Sequence, residues 1–376
     1  MSVGVTKLFV FAMVLLLATV DRCVAGEPLI AEFPFDDPLR LIRVPVQVRG
    51  ETFSFVLDTG ASMSAYSSTM QWPAIPIKYV MAQTGSGRRK VALYPRPPSS
   101  LGPIRLAESD LIAALDFTEL SAATHHPTHG ILGMDFLNHS IVQLDFESQT
   151  VRFLASVPPD CGIQLPLDAS KPEGVSLKFD VANSSIDAAI DTGSDRELMI
   201  SRSNWDELQK QGHLTQIQAT QTTTLGGKTI SNQGQLDSVR LGQFSIDHVD
   251  VMDATGGGKV GMKFLSRFLV TLDFPGKAAY LKPSRYYSKA RQRDASGLGL
   301  TLLNSQIQVK EVREGSPADD IGLRRGDVIL NIEGRKGEDW SLFDLRNALS
   351  DPGKTLKMTI QRTGQSLEVS IILAEF

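Results

Sequence analysis

The chain is poor in cysteine, in long apolar runs and in charge of one sign. Its 376 residues include two cysteines, which excludes a disulfide-rich scaffold and a cysteine-rich zinc site. A net charge of −4 without a long basic run argues against a nucleic acid as partner. An apolar fraction of 42% excludes disorder over most of the chain. At about 150 residues per domain, this length predicts two or three domains.

One apolar stretch stands near the start of the sequence. Residues 8–20 follow Lys7 and are apolar apart from Thr19, which is short for a membrane span of about 20 residues. The pattern is typical of a secretory signal peptide, and the small Ala25 predicts that residues 1–25 are removed. An uncleaved anchor is the alternative. After cleavage we expect no stable membrane span and a periplasmic or extracellular location, with the bacterial envelope favoured.

The middle of the chain contains an internal repeat. Residues 53–62 and 186–195 each place Asp-Thr-Gly after a short apolar run. The block at 131–137 is echoed at 259–265, and a Leu-Asp-Phe triplet at 144–146 recurs at the same offset. Three matched blocks in one order indicate a duplicated unit of about 125 residues. Short apolar runs separated by turn residues predict β-structure in both copies.

The repeat resembles the pepsin/retropepsin-like aspartic protease family. The resemblance rests on both Asp-Thr-Gly motifs and on the apolar-apolar-Gly block Ile131-Leu132-Gly133, and it covers about residues 28–284. It implies a mainly β fold in which two retropepsin-like β-barrel lobes form a bilobal protease. We place the first lobe at residues 28–157 and the second at residues 160–283.

The resemblance puts Asp58 and Asp191 at a catalytic dyad. Hydrolysis by direct attack of water needs a base and an acid, and two carboxylates that share one proton supply both. The implied function is an endopeptidase that acts on a peptide or protein substrate and needs no metal or organic cofactor. The cluster formed by His125, His126 and His129 is interpreted as a solvated loop rather than a metal site.

Five further residues are implied to support the dyad: Thr59, Gly60, Thr192, Gly193 and Ser194. In the family the two threonines hold the two loops together, and the glycines allow tight turns. A hydroxyl at the next position can stabilise a charged carboxylate. Ser194 has this hydroxyl and Ala61 lacks it, so we expect Asp58 to be harder to ionise than Asp191.

The family also closes β-hairpin flaps over its substrate. The candidates are Met81–Tyr94, with Gly85-Ser86-Gly87 at its tip, and Thr222–Gln235, with Gly226-Gly227 at its tip. The sequence departs from the family pattern in two places. A proline-rich loop begins at Arg96, and Lys259 stands where an aliphatic residue is usual.

The end of the chain resembles a bacterial-type PDZ domain. A basic linker is predicted at residues 284–296, followed by a small α+β module at residues 297–376. The resemblance is carried by Gly297-Leu298-Gly299-Leu300, by Glu314-Gly315-Ser316-Pro317-Ala318 and by the segment 321–329. Apolar residues spaced three and four apart predict an amphipathic helix over residues 341–350.

The PDZ resemblance implies binding of a free C-terminus or an extended peptide. Backbone N–H groups of the glycine-rich loop would hold the carboxylate, and an open strand edge would take the peptide as an extra strand. The implied peptide-binding residues are Leu298, Gly299 and Leu300. Two rival functions remain. One is a non-catalytic PDZ peptide-binding scaffold with inert protease-like lobes, and the other is a processing protease dedicated to one partner.

Overall fold

The computed structural model describes most of the chain beyond its first residues. The described residues are 28–35, 41–73, 75–84, 87–108, 110–124, 126–170, 174–224, 227–254, 256–288, 294–303, 306–340 and 342–374. The predicted signal peptide at residues 1–25 lies outside them, as do the flap-tip residues 85–86 and 226 and also His125. Within these ranges, no helix is long and apolar enough to cross a membrane.

The first copy of the repeat is mainly β, as predicted. Its strands are β1 (Leu29–Pro34), β2 (Arg43–Val48), β3 (Glu51–Leu57), β4 (Ala65–Ser67), β5 (Lys78–Thr84), β6 (Gly87–Pro95), β7 (Ser99–Leu101), β8 (Ile104–Leu106), β9 (Leu111–Leu115), β10 (Gly130–Leu132), β11 (Ile141–Asp145) and β12 (Thr150–Leu154). Its helices are α1 (Thr118–Thr124) and α2 (Met134–Leu137). Nine strands form one sheet in the order β5-β6-β9-β4-β10-β3-β2-β7-β8. The β5–β6 hairpin is the predicted first flap.

The second copy repeats this architecture. Its strands are β13 (Ile163–Pro166), β14 (Ser176–Val181), β15 (Ser184–Asp191), β16 (Leu198–Ser201), β17 (Leu214–Thr224), β18 (Gly227–Leu241), β19 (Phe244–Ala254), β20 (Gly258–Gly261), β21 (Phe268–Asp273) and β22 (Ala278–Pro283). Its helices are α3 (Arg202–Lys210) and α4 (Met262–Leu265). Seven strands form a sheet in the order β14-β15-β20-β16-β19-β18-β17, and the β17–β18 hairpin is the predicted second flap.

In each copy an equivalent short strand, called here the threading strand, lies between two others. Strand β10 runs parallel to β3 and antiparallel to β4. Strand β20 likewise runs parallel to β15 and antiparallel to β16. Strands β3 and β15 lead into the two Asp-Thr-Gly motifs, so the threading strand lies beside each motif. The sheet topology therefore reproduces the duplication that the sequence predicted.

A third sheet joins the two copies. Its order is β1-β12-β11-β21-β22-β13, and β11 pairs antiparallel with β21 across the boundary between the copies. Gln143 lies opposite Thr271, which is the equivalent residue of the second copy, and donates a hydrogen bond of 3.0 Å to its hydroxyl. Equivalent residues that face each other in an antiparallel pair define a local pseudo-twofold axis at this point.

Two tyrosines at the start of the predicted linker contact neighbouring parts of the chain. Tyr287 contacts Phe244 and Phe268 edge to face, and its hydroxyl donates to the carbonyl of Ser245. The hydroxyl of the buried Tyr286 donates to Asp344, which belongs to the C-terminal module. Tyr286 and Tyr287 therefore contact the folded units on both sides of the segment.

The C-terminal module forms a sheet with a core of its own. Its elements are β23 (Leu298–Leu303), β24 (Gln306–Val312), α5 (Pro317–Asp320), β25 (Val328–Ile332), β26 (Arg335–Lys336), a 3₁₀ helix (Gly337–Asp339), α6 (Leu342–Ala348), β27 (Thr355–Arg362) and β28 (Gln365–Ile372). The sheet order is β23-β24-β25-β27-β28, with β26 on β25. Leu345 and Leu349 are buried in the separate apolar core. The predicted helix therefore forms, as α6.

One buried ion pair lies in the second copy. Arg267 donates to Oε1 of Glu197 at 2.8 and 2.6 Å, and both side chains are about 1% exposed. The other carboxylate oxygen of Glu197 accepts from the backbone N–H of Asp250 at 3.0 Å. Arg267 also donates to the carbonyl of Tyr287, so the pair connects the lobe to the linker.

We expect Arg267→Gln to lower the free energy of unfolding by about 3 kcal/mol, because an uncompensated Glu197 charge would remain buried. Urea denaturation measures this loss. The matched control is Lys282→Gln, which breaks the exposed pair with Asp160 and should change stability by less than about 1 kcal/mol. Equal effects of the two variants would contradict this prediction.

Candidate active site

The two Asp-Thr-Gly motifs stand at the ends of equivalent buried strands. Asp58 follows β3 directly, and its N–H donates to the carbonyl of Leu132 on the threading strand β10 at 3.0 Å. Asp191 is the last residue of β15, where it pairs with Gly261 of the threading strand β20. The three residues before each aspartate, 55–57 and 188–190, are apolar and buried, so their packing fixes where each motif begins.

The two threonines hold the motifs together through four hydrogen bonds. The Thr59 hydroxyl donates to the carbonyl of Ile190 at 2.6 Å, and the Thr192 hydroxyl donates to the carbonyl of Leu57 at 2.7 Å. Each hydroxyl also accepts from the backbone N–H of the other threonine, at 3.1 and 3.0 Å. Both side chains are buried. The structure thus brings together two loops that lie 133 residues apart in sequence.

The two motif glycines allow the carboxyl groups to approach. A Cβ atom on Gly60 would lie 2.6 Å from Cγ of Asp191, and one on Gly193 would lie 2.5 Å from Cγ of Asp58. Each glycine N–H also donates to its own motif's carboxylate, at 2.9 Å for Asp58 and 3.0 Å for Asp191. Neither glycine has a positive φ. The glycines are therefore required by close approach across the two copies rather than by a left-handed turn.

The residues that end the threading strands pack against the two Asp-Thr-Gly loops and form hydrogen bonds with them. A Cβ atom on Gly133 would lie 2.7 Å from the carbonyl oxygen of Ala61, and Met134 donates its N–H to the same carbonyl at 2.8 Å. In the second copy a Cβ atom on Gly261 would lie 2.7 Å from the carbonyl oxygen of Ser194, and Met262 donates its N–H to that carbonyl at 2.9 Å. This contact explains why a glycine of the threading strand accompanies each Asp-Thr-Gly motif.

Asp58 carries an unusual charge state. Burial and the neighbouring Asp191 carboxylate raise the pKa of Asp58 from 3.8 to about 7, against the lowering effects of the Lys259 ammonium and the Gly60 N–H. A hydrogen bond between the two carboxyl groups, which also raises this pKa, requires a proton on one of them. This direction agrees with the expectation that Asp58 is hard to ionise. Two close carboxylates that titrate as a unit produce this behaviour.

The cause is different from the one the sequence suggested. The Ser194 hydroxyl was expected to bond the Asp191 carboxylate, but it donates to the sulfur of Met199 and accepts from the N–H of Arg196. Its hydrogen bonds therefore stay within its own loop. The cation that contacts Asp191 is Lys259, whose Nζ lies 2.7 Å from Oδ2 of that carboxylate.

The pairing of Lys259 with Asp191 is not predicted from the sequence, in which Lys259 is only a departure from the family pattern. A signal for its role was present, because Lys259 stands between Gly258 and Val260 in a short strand whose neighbours are buried. A charged residue in such a strand needs a partner. The partner could not be named until the fold showed which acidic residue lies within reach.

The loop predicted to bind a peptide lies at the start of β23. Leu298 and Leu300 are 7% and 1% exposed and belong to the apolar core of the module. Gly299 is required by close packing, because a Cβ atom would lie 2.9 Å from Cβ of Glu311. Both leucines therefore pack in the apolar core of this small module.

Groups of the same chain already bond the loop. The Asp294 carboxylate accepts from the N–H groups of Ser296 and Gly297, at 3.0 and 2.8 Å. The Ser296 hydroxyl accepts from the N–H of Leu298 at 3.1 Å. A peptide carboxylate would have to replace these bonds or use other N–H groups. Peptide binding by Leu298, Gly299 and Leu300 therefore stays a prediction.

Family models match both parts of the chain. A model described as an aspartyl protease matches residues 44–136 and 177–264, which include both Asp-Thr-Gly motifs and both threading strands. A model described as a PDZ domain matches residues 288–361. In the described part of the chain, no three His, Cys, Asp or Glu residues are grouped so that they could hold a metal ion.

Individual relatives resemble only a short part of the chain. A probable periplasmic serine endoprotease of the DegP-like type from Chlamydia trachomatis is 39% identical over 69 residues, which cover 18% of this chain and 14% of the relative. A serine protease Do-like HtrA from Bacillus subtilis is 33% identical over 85 residues, covering 22% and 18%. This chain therefore spans less than a fifth of the length of these two relatives.

One solved structure also resembles a short part of the chain. A photosystem II D1 C-terminal processing protease is 21% identical and has a TM-score of 0.21. The likeness covers 22% of this chain and 23% of that one. A similarity this low carries no structural argument.

We expect Gly193→Ala to destabilise the fold by about 1–3 kcal/mol, because the added methyl group overlaps the Asp58 carboxyl. Urea denaturation measures the change. The control is Gly256→Ala, whose Cβ atom would meet nothing within 4 Å and should shift stability by less than about 0.5 kcal/mol. If Gly193→Ala behaved like this control, the close approach would be wrong.

The raised pKa of Asp58 predicts how stability depends on pH. Between the unfolded value of 3.8 and the folded value of about 7 the folded state binds the extra proton, so stability falls as pH rises through this window. We expect Asp58→Asn to melt higher than the unmodified chain at pH 8 and to lose this advantage near pH 4. Thermal melts across this range measure the difference. The exposed variant Asp247→Asn is the control, and an identical pH dependence for both variants would contradict the prediction.

Proposed function

The chain carries an aspartyl protease domain and a C-terminal PDZ domain, and from that premise we propose that it is an exported aspartic endopeptidase. One observation carries the proposal: crossed hydrogen bonds hold two Asp-Thr-Gly loops so that Asp58 and Asp191 meet. Relatives named as serine proteases do not argue against it. Their matches of 69 and 85 residues are too short to span both motifs.

In the proposed reaction Asp58 is the acid and Asp191 is the base. Below about pH 7 Asp58 retains its proton, and the Asp191 carboxylate forms an ion pair with Lys259. A water molecule between the carboxyl groups gives one proton to Asp191 while its oxygen bonds to the peptide carbonyl carbon. Asp58 gives its proton to the carbonyl oxygen at the same time, so a neutral gem-diol forms.

The gem-diol then breaks down by the reverse transfers. Asp191 gives its new proton to the peptide nitrogen as the carbon–nitrogen bond breaks, which releases an amine. A hydroxyl of the diol returns a proton to Asp58, which leaves a carboxylic acid as the other product. Both aspartates end in their starting states, so no cofactor enters the balance of protons and electrons.

The PDZ module is proposed to bind an extended peptide or a free C-terminus beside β23. This strand is one of the two outer strands in the described order of its sheet, and outer strands can accept a peptide as an additional strand. Arg346 of α6 donates to the Leu300 carbonyl at 3.2 Å, and a peptide N–H would take its place. Binding of a substrate there would raise its concentration near the protease cleft.

Export is proposed on two grounds. The apolar run at residues 8–20 and the small Ala25 fit a cleaved signal peptide. One relative that shares a short segment is named as probably periplasmic. Both grounds favour a bacterial envelope or the medium outside it.

Cleavage of an unfolded protein by residues 26–376 tests the proposed function. We expect Asp58→Asn and Asp191→Asn each to lower the rate by about 10²–10⁴, because each removes one proton-transfer group. Activity should also decline above about pH 7, where Asp58 loses its proton. Rates measured between pH 3 and pH 8 give both results.

The exposed variant Asp247→Asn serves as the control and should cleave like the unmodified chain. Equal rates for Asp58→Asn and the control would contradict the aspartic mechanism. No cleavage at any pH, with either an unfolded protein or peptides that bind the PDZ module, would favour the non-catalytic scaffold instead.

A further inference from the structure

The second copy has a cation where the first copy has an aliphatic side chain. Lys259 of β20 is the equivalent of Ile131 of β10 in the internal repeat. Ile131 is buried in an apolar cluster with Val56 and Ala65. Lys259 instead reaches the active site, where its Nζ lies 2.7 Å from Oδ2 of Asp191. The two copies therefore differ in charge at a position that flanks the paired aspartates.

The surroundings of Lys259 accommodate its stem. Lys259 pairs with Ala189 of the parallel strand β15, whereas Ile131 pairs with the larger Val56. On the other side Lys259 pairs with Met199 of β16, whose unbranched side chain adapts to irregular spaces. Residues two apart share one face of a strand, so Ala189 and Asp191 lie on the same face as Lys259. This register directs the ammonium group toward Asp191.

The charged groups around Lys259 are few and mostly negative. On β15, Asp191 and the exposed Asp187 flank Ala189 on its face of the strand. Strand β16 contributes no ionisable side chain. Asp58 faces the ammonium group from the other copy. Burial acts against the charged form, but Asp191 and Asp58 outweigh it and raise the pKa of Lys259 above its ordinary value. Lys259 therefore stays cationic over the whole range in which the aspartates titrate.

We propose that Lys259 is a positioning residue that fixes the shared proton of the pair on Asp58 by holding the Asp191 carboxylate in an ion pair. The proposal rests on the proposed function, because it assigns the acid and the base of that reaction before substrate binds. Two identical copies would share the proton equally. The ion pair at one copy removes this symmetry, and no substrate contact is needed to do so.

The consequence for pH dependence follows from charge alone. The Lys259 ammonium lowers the pKa of Asp58, so removing it should raise the pH at which Asp58 loses its proton. Loss of the cation also makes ionisation of the first carboxyl group harder. Both limbs of a bell-shaped pH–rate profile should therefore move to higher pH.

The decisive variant is Lys259→Met, which keeps an unbranched stem and removes the charge. We expect both limbs of the pH profile of kcat/KM to move to higher pH by about 1 unit. This shift is at the low end of the pKa range for an opposite charge within about 4–6 Å, because the Lys259 side chain is partly exposed to solvent. Lys259→Arg keeps the charge and should restore the original limbs. Unmoved limbs in Lys259→Met, or a shift that Lys259→Arg reproduces, would overturn the proposal.

A second measurement needs no catalysis. Thermal melts against pH should show an inflection that disappears in Asp58→Asn, and Lys259→Met should move it to higher pH. Lys282→Met removes a cation from the exposed pair with Asp160 and should leave the inflection in place. A merely structural role for Lys259 would lower the melting temperature without moving the inflection, and this result would overturn the proposal.

The two measurements separate the two ideas. An unmodified chain that cleaves nothing, but whose inflection moves in Lys259→Met, would refute the proposed function and support the role of Lys259. A chain that cleaves through Asp58 and Asp191, but whose inflection and limbs do not move, would support the function and refute the role of Lys259.

Discussion

The crossed hydrogen bonds between Thr59 and Thr192 are the interaction on which the candidate site depends. Each hydroxyl donates to a carbonyl of the opposite copy and accepts from the opposite threonine's N–H, so each buried hydroxyl is hydrogen-bonded both as donor and as acceptor. The copies are otherwise joined by the β11–β21 sheet, which holds the lobes together but places no carboxyl group. The close packing of Gly60 and Gly193 on the opposite aspartates follows from this arrangement.

A symmetric framework holds an asymmetric set of charges. The backbone bonds, the motif glycines and the threading strands repeat almost residue for residue in the two copies. The side chains at the equivalent positions Ile131 and Lys259 differ, and the Lys259 ammonium group forms an ion pair with Asp191 of its own copy. Gene duplication within one chain permits this difference, because each copy can change independently. A symmetric dimer of identical single-copy chains could not place a cation beside one aspartate alone.

The sequence was sufficient to predict the duplication, the mainly β fold, the PDZ module and the meeting of Asp58 with Asp191, because short motifs with strict backbone requirements carry them. It failed where a side chain had several possible partners. Ser194 could bond the Asp191 carboxylate or its own loop, and it bonds its own loop. The hydrogen bond from Tyr286 to Asp344 has no signal in the sequence. Lys259 was noticed only as an exception, since its partner depends on strand register across β15 and β20.

Carboxyl-carbon NMR of the chain labelled at aspartate, titrated from pH 3 to pH 9, tests the account most directly. We expect one carboxyl signal that is absent from the spectrum of Asp58→Asn and titrates near pH 7. A second signal, absent from the spectrum of Asp191→Asn, should shift when Asp58 loses its proton, because the two groups are coupled. If Asp58 titrated near 3.8 in the intact fold and Asp191 did not respond to it, the two motifs would not form one site and the account would be wrong.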